Sequence, residues 1–493
     1  MQLLIDLDGE GPLYMQLYRA VKNLILAGNL SEGQKLPSTR QLAKQLSVSR
    51  NVVLLGYEQL KAEGYIVGGF GGGTRVVDHL PDDVGNRLAL GNADLNYKTD
   101  PVQLTTQAEI SLAYWRARPQ LNPNPDKHLN YDFRYGDIDV DSQSVKIWKQ
   151  LSSRLFNRHV HQYGEPQGEL HLRTKLADYL NNTRGCHCMA EQVAIVNGSQ
   201  QALDIIARLF ITGKSSVILE EPGYQAAKAV FQAAGAHIIP VSVDQDGLQT
   251  DRLPPYRGET SLVYVTPSHQ FPTGSILSLS RRLALLEWAK QTHSFIIEDD
   301  YDSEFRFEGR PISALQGLDN SGRTLYVGTF SKVLFPALRI GYVILPTHLV
   351  EPFIALRWHA DRHTNTHQQR VLAEFITLGH YERHLRRMRR RYQGRRDRLI
   401  EQLNHCFGEQ VVLQGTNAGL HLMVQFKETR LKIQEAEIVQ SARKAGLGIY
   451  PATPLYQTPP ERLGLLFGYG AIDEADIAPG IALLKQVIES FHS

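Results

Sequence analysis

The hydrophobic pattern of the first 78 residues predicts three short helices followed by a β-hairpin. Apolar residues recur at helical spacing over residues 12–27, and two further helices are predicted to begin after the capping residues Ser38 and Ser49. Short apolar runs on either side of the glycine-rich stretch 68–74 predict two strands and a tight turn. Two helices joined by a short turn, with a hairpin beside them, make a winged helix-turn-helix. The residues of the third helix predicted to face the core are Val53, Leu54, Tyr57 and Leu60.

The character of the chain changes after residue 78. Residues 79–128 are polar and rich in proline, which predicts a linker with one short helix near residues 102–118. From residue 129 to residue 493, apolar strands alternate with helices, which predicts a mostly parallel sheet covered by helices and a small C-terminal subdomain. The fold class expected for the large domain is therefore α/β.

Composition excludes few functions. The 493 residues are too many for one core, and the net charge of +2 gives no general argument for nucleic acid or membrane. Three cysteines suit a reducing cytoplasm, and Cys186-His187-Cys188 has no second ligand pair at zinc spacing, so no metal is expected. No uncharged apolar run approaches the roughly 20 residues of a membrane helix, and the N-terminus lacks the basic region of a signal peptide.

Local charge favours DNA as the partner of the N-terminal segment. Between Gly33 and Tyr57 the chain carries cations and no acidic residue. A cationic face meets the electrostatic need of the phosphate backbone, and glycines at the tip of the hairpin allow a close approach to it. A solvated helix face is the alternative, but the caps and the hairpin agree with DNA binding. The cations are Lys35, Arg40, Lys44 and Arg50.

The stretch Gly328-Thr329-Phe330-Ser331-Lys332 carries the candidate chemistry of the large domain. Lys332 follows a predicted strand and lies among small and apolar residues, where desolvation favours the neutral amine. A neutral amine forms a Schiff base with an aldehyde, and Arg339 offers a fork of donors that suits phosphate. Together they suggest pyridoxal 5′-phosphate, although a solvated lysine is the alternative for this stretch alone.

Three stretches upstream could supply the rest of such a site. The predicted strand from residue 295 ends in Asp299, Asp300 and Tyr301; a carboxylate would keep the pyridine nitrogen protonated, and a hydroxyl would serve the phenolic oxygen. Spacing does not separate the two aspartates. Tyr224 follows a turn and could stack on the ring. The third stretch enters a predicted helix, where free N–H groups bind phosphate: Gly198, Ser199 and Gln200.

In this order the stretches resemble the fold-type I, aspartate-aminotransferase-like enzymes over roughly residues 130–490, and residues 163–168 and 266–274 look like two further motifs of that family. The resemblance implies that Lys332 forms the Schiff base and that Asp299 is the partner of the pyridinium. Tyr301 would contact the phenolic oxygen, and Tyr224 would stack on the ring. The implied phosphate ligands are Gly198, Ser199, Gln200, Thr329 and Arg339.

The N-terminal segment resembles the GntR-type winged helix in four motifs. Arg40, Ser49 and Arg50 would then contact DNA, with the third helix in the major groove. We expect Lys44 and, on the hairpin, Gly72 and Thr74 to belong to the same interface. The motifs are Leu36-Pro37-Ser38-Thr39-Arg40-Gln41-Leu42-Ala43, Val48-Ser49-Arg50-Asn51-Val52-Val53, Leu60-Lys61-Ala62-Glu63-Gly64-Tyr65 and Gly72-Gly73-Thr74.

A winged helix followed by such a domain resembles the MocR/GabR group of bacterial transcription regulators. The resemblance implies a head-to-tail homodimer in the bacterial cytoplasm, associated with the nucleoid, that carries pyridoxal phosphate on Lys332. Its partners would be a double-stranded DNA operator and a small-molecule effector, either an amine or pyridoxal phosphate itself. An effector acts only through its different affinities for two states of the protein.

The alternative is a working pyridoxal phosphate aminotransferase that also carries a DNA-binding module. Aminotransferases of the family usually hold the substrate α-carboxylate with an Arg near the C-terminus, where this chain has Leu466, and Arg462 lies too early. The Asn of the family's Asn-Pro-Thr-Gly motif is replaced by Phe271. Efficient transamination is therefore not expected, and a half-reaction stays open.

Residues 383–398 hold many arginines and predict a long basic helix. The arginines either pair with acids elsewhere in the chain, which is the more common case, or add contacts to DNA.

Overall fold

The protein is described here by a computed structural model that covers residues 3, 5–69, 73–78, 103–117, 128–156, 162–255, 260–309 and 312–491. The chain divides into two units, Met1–Gln103 and Leu104–Ser493. No helix in the described ranges is long and apolar enough to cross a membrane.

The first unit has the predicted winged helix-turn-helix. Its two strands pair antiparallel with Ile66 opposite Val76. Ser38 caps the second helix: its side chain accepts a hydrogen bond from the Gln41 backbone N–H, and the Gln41 side-chain oxygen accepts one from the Ser38 backbone N–H. The elements are α1 (Leu13–Leu26), α2 (Thr39–Gln45), α3 (Arg50–Ala62), β1 (Ile66–Gly69) and β2 (Gly73–Val76).

The prediction for Leu54 was wrong, because 41% of its surface is exposed. Val53, Tyr57 and Leu60 are buried as expected. Leu54 lies about 100° further around the helix than Val53, beyond the stripe that faces α1. Gly56 lets α3 approach α1 closely, because a Cβ added at this position would lie only 3.1 Å from a methyl carbon of Leu17 on α1.

The second unit contains the remaining elements. Its strands are β3 (Tyr131–Asp132), β4 (Val193–Val196), β5 (Ser216–Glu221), β6 (His237–Asp244), β7 (Gly247–Leu248), β8 (Thr260–Val265), β9 (Phe295–Asp300), β10 (Thr324–Thr329), β11 (Gly341–Ile344), β12 (Val411–Gln414), β13 (His421–Phe426), β14 (Leu447–Gly448), β15 (Tyr450–Pro451) and β16 (Gly464–Gly468). Its helices are α4 (Thr106–Ala117), α5 (Ser142–Leu155), α6 (Leu170–Arg184), α7 (Ser199–Phe210), α8 (Gln225–Ala233), α9 (Leu279–Gln291), α10 (Thr347–Asp361), α11 (Thr366–Thr377), α12 (His380–Phe407), α13 (Arg430–Ile433), α14 (Glu435–Lys444) and α15 (Glu474–Glu489).

The large sheet is mostly parallel, as predicted. Its spatial order is β4-β11-β10-β9-β8-β5-β6-β7, and β11 runs antiparallel to both of its neighbours. Strands such as β4 are buried at every residue, which explains their uninterrupted apolar sequence. Helices cover both faces, with α7, α8 and α10 contributing to one apolar core. The carboxyl ends of β5, β8, β9 and β10 meet at one edge, where ligands bind in such sheets.

A smaller sheet follows in the order β12-β13-β16-β15, and the long helix α12 packs against α15 beside it. Helix α4, from the segment predicted as a linker, lies against α8. The described contacts of the arginines of α12 favour pairing within the chain. Arg387 lies 2.5 Å from Asp141, Arg391 lies 2.8 Å from Asp139, and Arg396 lies 3.0 Å from Glu308.

We predict that Ser38→Ala lowers the free energy of unfolding of the first unit by about 1 kcal/mol, because the first turn of α2 loses its cap. Hydrogen exchange of the α2 amides measures the loss. Ser31→Ala is the matched control, since the Ser31 backbone N–H, and not its side chain, donates to Gln34. Equal protection of α2 in both variants would contradict this role for Ser38.

Candidate cofactor site

Lys332 lies just past the carboxyl end of β10. Its Nζ donates a hydrogen bond to the backbone oxygen of Gly136 at 2.6 Å. Gly136 has a φ of +88°, and a Cβ added there would lie 3.2 Å from Nζ. Burial lowers the pKa of Lys332, while the carboxylates of Asp137 and Asp302 oppose that shift. The amine therefore loses its proton more readily than an exposed lysine does, as a nucleophile requires.

Asp299, on β9, is a buried carboxylate with one open oxygen. The Tyr264 hydroxyl donates to Oδ2 at 2.7 Å. Oδ1 is buried and has no hydrogen-bond partner within the described part of the chain. Burial raises the pKa of Asp299 to about 7, with Tyr264 opposing and the neighbouring Asp300 and Asp302 adding to the shift. A protonated ring nitrogen is the kind of donor that this oxygen lacks.

Asp300 is already engaged. Arg184 Nε donates to its Oδ2 at 2.8 Å, and the Tyr326 hydroxyl donates to the same oxygen. Successive residues of a strand point to opposite faces of the sheet, so Asp299 and Asp300 cannot share one site. Of the two aspartates that the sequence left open, Asp299 has a fully buried oxygen with no hydrogen-bond partner among the described residues, whereas Asp300 is paired with Arg184.

Aromatic rings surround the same edge of the sheet. The Tyr224 ring lies 6.5 Å from that of Tyr264 at an angle of 25°, and 6.0 Å from that of Phe271. The Tyr301 hydroxyl donates to the backbone oxygen of His269 at 3.1 Å. The Phe271 and Tyr301 rings are 6.3 Å apart. Tyr224 and Tyr301 thus approach one space from two sides, with Phe271 between them.

The start of α7, where a phosphate site was predicted, lies beside Arg339. The helix begins at Ser199 after Gly198, which has a φ of +90° and provides no side-chain cap. Arg339 Nη2 donates to the Asn197 backbone oxygen at 2.8 Å, and a Cβ added to Gly198 would lie 2.9 Å from that nitrogen. The N–H groups of Ser199 and Gln200 open the helix beside the guanidinium, which is the donor set that a phosphate needs.

Thr329 ends β10, and its Oγ1 accepts a hydrogen bond from the Ser331 backbone at 3.1 Å. The Oγ of Ser331 is buried and has no partner among the described residues. Ser331 was not among the residues predicted from the sequence to bind phosphate. Its place between Thr329 and Lys332 was the available signal, and its open hydroxyl makes it a further candidate phosphate ligand.

Two residues that are distant in sequence hold the loops at this edge of the sheet, and the sequence analysis did not predict either of them. Asp361, at the end of α10, accepts from the Asn197 side chain at 2.6 Å and from the Gln201 side chain at 2.7 Å. His384, on α12, donates from Nε2 to the backbone oxygen of Val333 at 2.6 Å. The contacts of Asp361 hold the loop that precedes α7, and the contact of His384 holds the loop that carries Lys332.

A second network lies behind Tyr301. His269 Nδ1 is 2.9 Å from Asp302, and its Nε2 is buried without a partner among the described residues. His421 lies beside it, and burial lowers the pKa of His421 to about 3. The side-chain atoms of His269, Asp302 and His421 that could bind a metal ion lie within 4.8 Å of one another.

The Cys-His-Cys stretch that the sequence analysis considered for a metal lies elsewhere. Its Cys188 thiol donates a hydrogen bond to the Asn181 side chain.

In the first unit, Arg40, Lys44, Ser49 and Arg50 are exposed, as DNA contacts must be. Ser49 also caps α3, accepting from the Val52 backbone, and Arg50 Nε donates to the Thr39 hydroxyl at 3.3 Å. Thr74 lies on β2 and is half-buried, whereas Gly72 lies outside the described residues.

Comparison with known proteins agrees with both units. The model of the family "Aminotransferase class I and II" matches residues 131–463, and that of "Bacterial regulatory proteins, gntR family" matches residues 13–76. The chain is 37% identical to the uncharacterized HTH-type transcriptional regulator YdeL of Bacillus subtilis, over 96% of each chain. It is 34% identical to the probable rhizopine catabolism regulatory protein MocR of Rhizobium meliloti, over 100% of this chain and 97% of the relative.

The chain belongs to the MocR-like transcriptional regulators. Its second unit is a class I and II aminotransferase domain, and its first is a GntR-type winged helix. Among solved structures, it is similar to the Pyrococcus horikoshii kynurenine aminotransferase in complex with PMP. The TM-score is 0.67 at 25% identity, over 79% of this chain and 95% of the other. The predicted regulator with a fold-type I aminotransferase fold is confirmed.

We predict that Asp299→Asn stabilises the cofactor-free protein above neutral pH. The pKa of Asp299 is raised to about 7 in the folded chain. It is about 4 in an unfolded chain, so the stability that Asp299 contributes is lost as pH rises through this range. The Asn side chain does not ionise, so the variant does not lose this stability. The difference between the melting temperatures of the variant and the wild type should therefore shift in favour of the variant between about pH 5 and about pH 8.

Asp300→Asn is the control for this prediction. It should lower the melting temperature at both pH values, because the buried guanidinium of Arg184 loses its charged partner. Breaking such a pair costs about 3 kcal/mol or more. A difference between Asp299→Asn and the wild type that stays constant with pH would show that Asp299 does not titrate in this range.

Proposed function

We propose that this regulator binds pyridoxal phosphate at the edge of its large sheet and couples that site to DNA binding by its winged helix. The observation that carries the proposal is the open, buried oxygen of Asp299 together with the buried amine of Lys332, on neighbouring strands that end at the same edge of the sheet. Asp299 Oδ1 has no hydrogen-bond partner among the described residues, and the Lys332 amine donates to the backbone oxygen of Gly136. A ligand with a cationic ring nitrogen and an aldehyde satisfies both.

The residues divide the work of holding this cofactor. Lys332 would attach to the aldehyde carbon, and Asp299 would accept from the ring nitrogen and keep it protonated. Tyr264, which donates to the other oxygen of Asp299, would fix the direction of that carboxylate. When bound, the protonated ring withdraws electrons from the carbon next to the attached nitrogen.

The rest of the proposed site fixes the two ends of the cofactor. Tyr301 would donate to the phenolic oxygen, with its hydroxyl already held near His269. Tyr224 would cover one face of the ring and exclude water. The phosphate would lie at the start of α7, held by a set that combines backbone N–H groups, hydroxyls and a guanidinium: Gly198, Ser199, Gln200, Thr329 and Arg339.

The winged helix would bind a double-stranded DNA operator through its exposed cations. Arg40, Lys44 and Arg50 carry the charge, and no acidic residue lies among them between Gly33 and Tyr57. A two-fold symmetric operator suits the head-to-tail homodimer that we propose. Because DNA is the partner, the proposal places the protein in the bacterial cytoplasm, at the nucleoid. An effector at the second unit would then shift the binding equilibrium.

We predict that Lys332→Ala abolishes the near-visible absorbance of the protein reconstituted with pyridoxal phosphate, because the attachment point is lost. Absorbance after gel filtration is the measurement. Lys290→Ala, which removes an exposed amine from α9, should leave the band unchanged. A band of wild-type intensity in Lys332→Ala would refute the assignment of Lys332.

We predict that Arg50→Ala weakens DNA binding and reduces the slope of log affinity against log salt by about 0.9, the contribution of one phosphate contact. A fluorescence anisotropy titration at several salt concentrations measures both effects. Arg19→Ala, at an exposed position on α1, removes an equal charge outside the proposed interface and should keep the slope. Equal slopes for Arg50→Ala and the wild type would exclude Arg50 from the interface.

A further inference from the structure

An apolar wall stands where aminotransferases of this fold place an arginine for the substrate carboxylate. Leu466, on β16, is completely buried and clusters with Met423, Ala452 and Leu455. The partly buried side chains that pack against this cluster are aromatic: Tyr135, Phe271, Tyr450 and Tyr456. An arginine side chain at this position would break these apolar contacts, so the packing around residue 466 favours an apolar residue.

This wall is continuous with the cofactor site. The Tyr135 ring lies 5.7 Å from that of Phe271 and 6.0 Å from that of Tyr450. Tyr135 directly precedes Gly136, whose backbone oxygen accepts from Lys332. Phe271 in turn lies against Tyr224 and Tyr301 at the edge of the sheet. A molecule whose nitrogen lies near Lys332 can therefore extend its body along aromatic rings.

The charges nearest to this path disfavour an anionic ligand. Arg134 Nε lies 3.5 Å from Asp132 and 3.8 Å from Asp137, and it donates to the Tyr450 hydroxyl at 3.3 Å. Its charge is therefore already shared between two carboxylates. A carboxylate entering beside Lys332 would compete with both acids for one guanidinium and would be repelled by them.

We propose that this site takes a primary amine whose body is apolar or aromatic and whose amine-bearing carbon carries no carboxylate. The inference rests on the proposed function, since the amine would bind with its nitrogen beside Lys332 in the cofactor-loaded protein. Its body would lie against the partly buried rings of Tyr135 and Phe271, which pack on the cluster that contains Leu466. An α-amino acid of the same shape would bind more weakly, because its carboxylate would have to compete for Arg134, which is already paired with Asp132 and Asp137.

The test compares two molecules that differ only in that carboxylate. Isothermal titration calorimetry of the full-length, cofactor-loaded protein measures the affinities of 2-phenylethylamine and L-phenylalanine. We expect the amine to bind tighter by about tenfold or more. Ethanolamine, which has the same amine without the aromatic body, should bind more weakly than 2-phenylethylamine. Equal or tighter binding of L-phenylalanine would overturn the inference.

A variant tests the wall itself. Leu466→Arg places a guanidinium beside the aromatic rings and should narrow or reverse the preference for 2-phenylethylamine. Val412→Arg adds the same side chain at an exposed position of the same small sheet and should keep the wild-type ratio. If Leu466→Arg does not fold, the comparison in the wild type still decides the question.

The proposed cofactor site and the inferred class of effector can be refuted separately. If the wild type shows no absorbance that depends on Lys332, the proposed cofactor site is wrong. If that absorbance is present and 2-phenylethylamine does not bind, the cofactor site stands and the inferred class of effector is wrong.

Discussion

A buried carboxylate with an unsatisfied oxygen is the constraint on which the candidate site depends. Asp299 is buried; the Tyr264 hydroxyl donates to one of its oxygens, and the other has no partner among the described residues. Burying a charge without a partner is expensive, and the raised pKa of the group reflects that cost. The next residue of the same strand, Asp300, is paired with Arg184. The open oxygen of Asp299 therefore supports the cofactor site that we propose.

The sheet brings the other groups to the same edge. Parallel strands end side by side, so residues that follow β9 and β10 meet although they are distant in sequence. The helix α7 begins beside them and directs its N–H groups at the space next to Arg339. A buried amine whose pKa is lowered, the start of α7 beside Arg339, and a carboxylate with an open oxygen then lie at one edge of the sheet. The apolar wall around Leu466 continues from this edge through the rings of Phe271 and Tyr135.

Much of this arrangement could be predicted because its signals are local. Caps such as Ser38, the spacing of apolar residues and the motif around Lys332 each depend on a few consecutive positions. The different surroundings of Asp299 and Asp300 could not be predicted from spacing, because Asp300 is paired with Arg184, 116 residues earlier. The contacts of His384 with Val333 and of Asp361 with Asn197 are equally remote in sequence. Leu54 was wrongly predicted to face the core, because an apolar residue at the border of a helical stripe fits the spacing whether it is buried or exposed.

The measurement that tests the central claim most directly is the nitrogen-15 NMR shift of ring-labelled pyridoxal phosphate bound to the protein. If Asp299 accepts from the ring nitrogen, the nitrogen will stay protonated well above neutral pH, and Asp299→Asn will lose that protonation while Asp300→Asn keeps it when folded. An unprotonated ring nitrogen in the wild type at neutral pH would contradict the account, because the open oxygen of Asp299 would then serve another group.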